Sequence, residues 1–124
     1  MVIVDGGRLS KRSLVYDAAY FAWNYLMPRI KKCDVWIYLR KIDACGYCMQ
    51  IDNREFEVEI HNRLMGDDLL TAIFHEMVHV KQGVRKEWND SKKTYNTHKE
   101  YLALPWEVEA YELQEEILKA WHKR

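Results

Sequence analysis

The chain has 124 residues, of which 48% are hydrophobic and 13% aromatic, and its 19 basic residues balance its 19 acidic ones. This size predicts a single domain over residues 1 to 124, and the apolar content excludes a disordered chain. A formal net charge of zero provides no global field that attracts nucleic acid or an anionic membrane. The sequence lacks a recognisable signal peptide and a membrane-spanning run, so we expect a cytoplasmic protein with no membrane partner.

The N-terminal part of the chain predicts one helix. Ser10 is a candidate N-cap, and Pro28 ends the helical pattern. The apolar residues that share one face of this helix are Leu14, Ala18, Phe21 and Tyr25.

Three strands are predicted next, at residues 34–42, 47–51 and 55–61, because apolar and polar residues alternate there. In the last strand the residues expected to face inward are Phe56, Val58 and Ile60, and those expected to face outward are Glu55, Glu57, Glu59 and His61. A helix, a mainly antiparallel sheet and further helices predict an α+β fold.

Three cysteines occur in the chain, and this odd number does not indicate a secreted disulfide framework. Cys45 and Cys48 have the CxxC spacing of half a zinc knuckle or of a redox pair, but there is no second CxxC. We therefore interpret these two residues as hairpin thiols and Cys33 as a third thiol without an assigned role.

The segment from His75 to His79 reads HExxH and lies within a predicted helix, for which Asp67 is a candidate N-cap and Gly83 a candidate residue just past the end. Residues four apart share a helix face, so the two histidines can present their imidazoles to one metal ion. Glu76 can then act as the general base on a water molecule at that metal. The alternative is an amphipathic helix whose histidines bond only to their neighbours.

A catalytic zinc site needs a third protein ligand. A second helix, predicted to begin at Pro105, offers Glu107 and Glu109 in its first turns. Acidic residues at this end of a helix also complement the helix dipole, which is the alternative explanation for both. The two glutamates are about 200° apart around the helix, so only one can face a metal.

An HExxH helix followed by a glutamate on a second helix resembles the gluzincin metallopeptidases, the group that includes thermolysin. The chain is more closely similar to small phage and bacterial zincin-like proteins, which share a HEMVHVKQ stretch and a PWE-x-EA stretch. The similarity covers residues 34 to 115. It implies His75, His79 and Glu107 as metal ligands, with Glu109 as the alternative to Glu107. Many gluzincins place an Asp four residues after the ligand Glu, and this chain has Tyr111 there.

The resemblance implies a minimal zincin-like core and a zinc-dependent metallopeptidase that hydrolyses amide bonds of a peptide or protein substrate. Zn²⁺ suits two histidines and one glutamate, although Mn²⁺, Co²⁺ and Fe²⁺ accept similar ligands. By the same analogy the strand at 55–61 is the edge that pairs with an extended substrate. The alternative is that its charged outward face keeps an exposed edge from aggregating.

Between the two ligand helices, residues 84–104 predict a basic and aromatic loop or a hairpin. Its candidates for stabilising an oxyanion are Tyr95, His98 and Tyr101. Basic and aromatic residues also bind single-stranded nucleic acid, a weaker interpretation at zero net charge. Two other functions stay open: a non-catalytic zincin-like metal-binding module with a regulatory or interaction role, including one that acts on nucleic-acid-associated proteins, and a structural protein that binds no metal.

Overall fold

The computed structural model describes residues 1–88 and 96–124, and these residues form an α+β fold with four helices and a four-stranded sheet. The elements in chain order are β1 (Val2–Asp5), α1 (Leu9–Leu26), β2 (Asp34–Arg40), β3 (Gly46–Asp52), β4 (Glu55–His61), α2 (Gly66–Val84), α3 (His98–Leu102) and α4 (Pro105–His122). The predicted α+β class is thus confirmed, and so are the three predicted strands. None of the helices in the described ranges combines the length and apolarity needed to cross a membrane.

The sheet is mixed and has the strand order β1-β2-β4-β3. Strands β1 and β2 pair in parallel, as do β2 and β4, whereas β3 and β4 are antiparallel. The prediction of a three-stranded, mainly antiparallel sheet is therefore wrong in both number and direction. Strand β1 has four residues, too few for a clear alternation, and helix α1 supplies the long connection that parallel pairing with β2 requires.

Strand β4 lies inside the sheet, because it pairs with β2 on one side and with β3 on the other. The prediction that residues 55–61 form the substrate-binding edge is wrong, since both sides of the β4 backbone are occupied by these pairings. The strand next to it, β3, is an edge strand of the described sheet. The alternating burial of β4 is confirmed, with Phe56, Val58 and Ile60 in the core.

The predicted boundaries of two helices need correction. Helix α1 begins at Leu9 after Arg8, so Ser10 lies inside it. Helix α2 begins after Met65, which places Asp67 in the first turn. Gly83 is also inside α2, where a Cβ atom would lie 2.4 Å from Cε2 of Phe56. This glycine therefore allows the helix to pack closely on the sheet and does not end it.

Helix α2 occupies the centre of the domain, between α1, α4 and one face of the sheet. Its buried residues include Phe74 and Met77, which belong to one core cluster with the inward side chains of β2 and β4. Helix α4 begins with Pro105 at its first position, as predicted, and packs along α2. This packing sets the N-terminal turn of α4 beside the HExxH segment.

Candidate metal centre

Two histidines and one glutamate converge where α2 and α4 meet. Nε2 of His79 lies 2.7 Å from Oε1 of Glu107, and Nε2 of His75 lies 3.3 Å from Oε2 of the same carboxylate. The candidate ligand atoms of the three residues all lie within 4.8 Å of one another. The packing of α4 on α2 thus brings together the three residues that the motif resemblance implies as metal ligands.

The ring orientation of His79 is set by Gln82, one turn further along α2. Nε2 of Gln82 donates to the carbonyl of Trp106 at 2.8 Å and to Oε1 of Glu109 at 2.9 Å. Its Oε1 therefore faces Nδ1 of His79, at 2.7 Å, and accepts a hydrogen bond from that nitrogen. With the proton on Nδ1, the Nε2 lone pair of His79 is directed toward Glu107.

His75 is oriented in the same way from α4. Nδ1 of His75 and Oε1 of Gln114 are 2.8 Å apart, while Nε2 of Gln114 donates to Glu115 at 3.3 Å. The amide oxygen can only accept, so the proton of a neutral His75 lies on Nδ1. Both histidines consequently present Nε2 to the same point, as metal-ligating histidines do when their other nitrogen is held by a hydrogen bond.

The carboxylate of Glu107 provides a test of whether these residues fit a cation. Glu107 is 2% exposed, and its Oε2 accepts no hydrogen bond from the part of the chain that the structure describes. Two imidazole lone pairs and a buried carboxylate cannot share a site without a positive charge between them, either protons on Nε2 or a metal ion. Two histidines and one glutamate are also a ligand set of catalytic zinc sites. The residues present therefore fit a divalent metal ion.

The charges of this cluster are coupled. Burial acts to raise the pKa of Glu107, but its interactions with His75 and His79 outweigh burial and lower this pKa to about 2. Burial acts to lower the pKa of His75, and the contact with Glu107, aided by the charge of Glu76, outweighs it and raises this pKa. These opposite shifts favour an ion pair between His75 and Glu107 in the metal-free protein.

The other glutamate of the pair, Glu109, lies on a different side of α4. Its Oε1 accepts hydrogen bonds from Nζ of Lys81 and from Nε2 of Gln82, each at 2.9 Å. These contacts lower its pKa, although burial acts in the opposite direction. Lys81 and Gln82 of α2 therefore hold the side chain of Glu109 outside the group of converging ligand atoms.

Glu76, the proposed base, is 6% exposed and borders the same cleft as the three converging residues. Burial raises the pKa of Glu76, even though the adjacent His75 and His79 act to lower it. The first residue of β3 lies against this carboxylate, because a Cβ atom at Gly46 would be 2.9 Å from Oε2 of Glu76. A glycine at this position lets the edge strand approach the base.

The cleft has a volume of about 1000 Å³ and an aromatic lining. The ring of Trp88 stacks on His79 with centroids 5.2 Å apart, and the ring of Tyr111 packs edge-on against His75 at 4.7 Å. Two of the predicted oxyanion candidates, His98 and Tyr101, also border the cleft. The third candidate, Tyr95, lies outside the described residues.

Several residues of this site were not identified from the sequence as site residues. The two glutamines fall on the ligand-bearing helix faces, since Gln82 is three residues after His79 and Gln114 is seven after Glu107. Residues three, four or seven apart share a helix face, and this spacing was the sequence feature that could have identified both glutamines. The proximity of Tyr111 and Gly46 depends on how α4 and β3 pack against α2, and no local pattern indicates it.

None of the three cysteines, all of which lie in the described residues, forms a disulfide bond. Cys45 and Cys48 border the cleft at the start of β3, which agrees with their interpretation as thiols of a hairpin. Cys33 is buried, and burial raises its pKa to about 11.

Comparisons with protein-family models, with curated proteins and with solved structures found no match for this chain. The resemblance to zincin-like proteins therefore rests on the HEMVHVKQ and PWE-x-EA stretches. Motifs alone do not establish a function, so the geometry and chemistry of the site must support one.

Proposed function

We propose that the protein is a zinc-dependent metallopeptidase that hydrolyses peptide bonds. The observation that carries this proposal is the convergence of three candidate ligands within 4.8 Å, in the cleft that Glu76 also borders. In this proposal Zn²⁺ binds to Nε2 of His75, Nε2 of His79 and the carboxylate of Glu107. When bound, the ion would lower the pKa of a water molecule and polarise the substrate carbonyl.

Glu76 is the proposed general base and acid. Its carboxylate takes a proton from the attacking water and later transfers it to the leaving nitrogen. Burial raises the pKa of Glu76, which makes its carboxylate a stronger base toward the water and suits a group that must hold the proton between these two steps.

The residues proposed to stabilise the negative charge on the substrate oxygen are Tyr101, Tyr111 and His98. Burial, followed by the negative charge of Glu107, raises the pKa of each of the two tyrosines. Both phenols therefore remain protonated at neutral pH and can donate a hydrogen bond. Because all three side chains border the cleft, each can reach a bound substrate there.

The proposed substrate is an extended peptide that adds to the edge of β3. This strand pairs with β4 on one side only within the described sheet, and Gly46, Tyr47 and Cys48 border the cleft. Backbone hydrogen bonds to an edge strand bind peptides without requiring a particular side chain. This supports a peptide or protein substrate and replaces β4 by β3 as the substrate-binding strand.

The proposal is tested by measuring zinc content and hydrolysis on the same preparations. Elemental mass spectrometry should find about one zinc per chain in the parent, and a mixed library of fluorogenic peptides should be cleaved. Glu76→Gln should keep its zinc and lose activity by about 10² to 10⁴-fold, since it cannot accept the proton. Glu112→Gln, at an exposed position of α4, is the matched control and should keep both properties.

Three outcomes would contradict the proposal. Failure of the folded parent to bind zinc would show that the chain has no zinc site. An active Glu76→Gln variant would show that Glu76 is not the general base. Zinc binding without cleavage of any library peptide would favour the non-catalytic metal-binding module over the peptidase.

A further inference from the structure

The face of the sheet that points away from α1, α2 and α4 carries exposed apolar side chains. Residues paired across strands point to the same face. The register therefore places Ile3, Trp36, Glu57 and Met49 in one row, and Asp5, Tyr38, Glu59 and Tyr47 in the next. We call this surface the open face; Glu55 extends it along β4, where it is paired with Asp34 of β2.

The described helices leave the open face uncovered, although two of the three strand pairings are parallel. All-parallel sheets are covered on both faces, whereas antiparallel sheets commonly leave one face to solvent. Three of its apolar side chains are 41% to 54% exposed: Ile3, Tyr47 and Met49. These side chains lie on both sides of β4, with Ile3 on β1 and Tyr47 and Met49 on β3. Several exposed apolar side chains on one face favour an interaction site.

A stripe of three carboxylates runs through the middle of the open face. Glu55, Glu57 and Glu59 alternate along β4 and are roughly 6.6 Å apart. Glu59 lies 3.4 Å from Arg40, whereas Glu57 stands between Trp36 and Met49 in the register. The stripe does not protect an exposed edge, because β4 is an internal strand. Glu55 is paired in the register with Asp34 on one side and Asp52 on the other. Like charges directly opposite each other in a sheet are destabilising, so a role in binding explains this arrangement better than a role in folding.

We propose that the open face binds a basic, amphipathic helix of a partner protein, lying along β4. Basic residues at every fourth position of a helix are about 6 Å apart, which matches the spacing of the three glutamates. The apolar residues that flank the basic row would contact Trp36 and Tyr38 on one side and Tyr47 and Met49 on the other. Charge complementarity sets the orientation, and the apolar contacts supply most of the affinity.

A second copy of this chain does not fit the same surface. Two open faces would bring two glutamate stripes together, and like charges at an interface oppose association. None of the helices in the described ranges carries three basic residues at four-residue intervals. The partner is therefore a different protein, and the negative stripe also disfavours nucleic acid.

The probe for this surface is a synthetic 18-residue helical peptide of Leu, Lys and Ala, with Lys at every fourth position and Leu on both sides of the Lys row. A peptide of the same composition in scrambled order is its control. Titration into ¹⁵N-labelled protein, followed by NMR and calorimetry, should shift amides of β2, β3 and β4. The scrambled peptide should bind at least about tenfold more weakly, since it cannot align its charges with the stripe.

Two protein variants test whether peptide binding depends on the glutamate stripe or only on the net charge of the protein. Glu55→Gln/Glu57→Gln/Glu59→Gln should weaken binding at least about tenfold, because three ion pairs of modest strength are lost. Asp17→Asn/Glu112→Gln/Glu116→Gln removes the same charge from exposed positions of α1 and α4 and should bind as the parent does. Met49→Ser, at an exposed position, should also weaken binding while the protein stays folded.

The proposal is overturned if the stripe variant binds the ordered peptide as tightly as the parent, or if the charge-matched control loses as much affinity. Amide shifts confined to the cleft or to α4 would place the peptide elsewhere and also overturn it. Sedimentation that shows a dimer of the parent, lost in the stripe variant, would assign the open face to a second copy.

Discussion

The side chain of Gln82 links His79 to the following helix. Its Oε1 accepts a hydrogen bond from Nδ1 of His79 at 2.7 Å, and its Nε2 donates to the carbonyl of Trp106 at 2.8 Å. Gln82 is 1% exposed, so these bonds are made without competition from solvent. One buried amide thus orients a proposed ligand of α2 and also holds the first turn of α4, which carries Glu107.

Replacing this amide should weaken the metal site. We expect Gln82→Leu to lower zinc affinity by about 10 to 100-fold, because His79 loses the bond that fixes its ring and its tautomer. The measurement is competition with a chromophoric zinc chelator. Gln50→Leu, an exposed position on β3, is the matched control and should leave the affinity unchanged. Unchanged affinity in Gln82→Leu would show that the amide does not position the ligand.

The two glutamates of α4 should behave differently when each is truncated. Glu107→Ala should abolish stoichiometric zinc binding, because it removes the carboxylate that faces both imidazoles. Glu109→Ala should retain zinc, because Nε2 of Gln82 keeps its hydrogen bond to the carbonyl of Trp106. It should lose about 1 kcal/mol of unfolding free energy, since it removes a partly exposed ion pair with Lys81 and one hydrogen bond from Gln82. Elemental analysis and urea denaturation provide both readouts. Loss of zinc from Glu109→Ala, with zinc retained by Glu107→Ala, would identify Glu109 as the ligand instead.

The metal-free protein should have a pH-dependent stability that comes from the Glu107 cluster. The pKa of Glu107 falls from 4.5 to about 2 on folding, so its contribution is present above pH 4.5 and is lost as the pH falls toward 2. The pKa of His75 is raised above 6.5, so its contribution is full below pH 6.5 and is lost as the pH rises through the folded-state value. Urea denaturation in a chelator should therefore show greatest stabilisation by this pair between pH 4.5 and 6.5.

The matched comparison for this pH dependence is Glu107→Gln, also without metal. It should flatten the profile on both sides of that window, because the ion pair is absent at every pH. If the free energy of unfolding of Glu107→Gln depends on pH as steeply as that of the parent, the pH dependence comes from other groups.

The close contact between Gly83 and Phe56 predicts a rescue by a second substitution. Gly83→Ala should destabilise the protein by about 1–3 kcal/mol, because its Cβ would lie 2.4 Å from the Phe56 ring. Gly83→Ala/Phe56→Leu should recover part of that loss relative to Phe56→Leu alone, since the smaller side chain leaves room. A double-mutant cycle from urea denaturation measures this coupling. Purely additive effects on the free energy of unfolding would show that the contact with Phe56 is not the reason why Gly83→Ala is destabilising.

The thiols should differ strongly in reactivity. Cys33 is 3% exposed with a pKa raised to about 11 from 9.0, whereas Cys45 is exposed. The thiolate fraction of Cys33 is therefore roughly 100-fold smaller than at its ordinary pKa, in addition to its protection from reagent. Iodoacetamide labelling with peptide mapping should modify Cys45 first and Cys33 only in denaturant. Rapid labelling of Cys33 in the folded protein would contradict its burial.

Local patterns predicted much of this chain, because they reflect interactions between residues close in sequence. The alternation at 55–61 located β4, and Pro105 marked the start of α4. The four-residue spacing of His75 and His79 placed both on one helix face. Each inference required only the period of a strand or a helix.

What the tertiary structure decided depends on contacts between distant segments. The sequence left open which glutamate of α4 contacts the histidines, because Glu107 and Glu109 share the same local setting. The rotation of α4 against α2 directs Glu107 toward His75 and His79. The inclusion of β1 and the internal position of β4 likewise follow from pairing between remote strands. Such pairings and helix rotations are fixed by core packing over the whole domain, and the periodicity of a single segment carries no information about them.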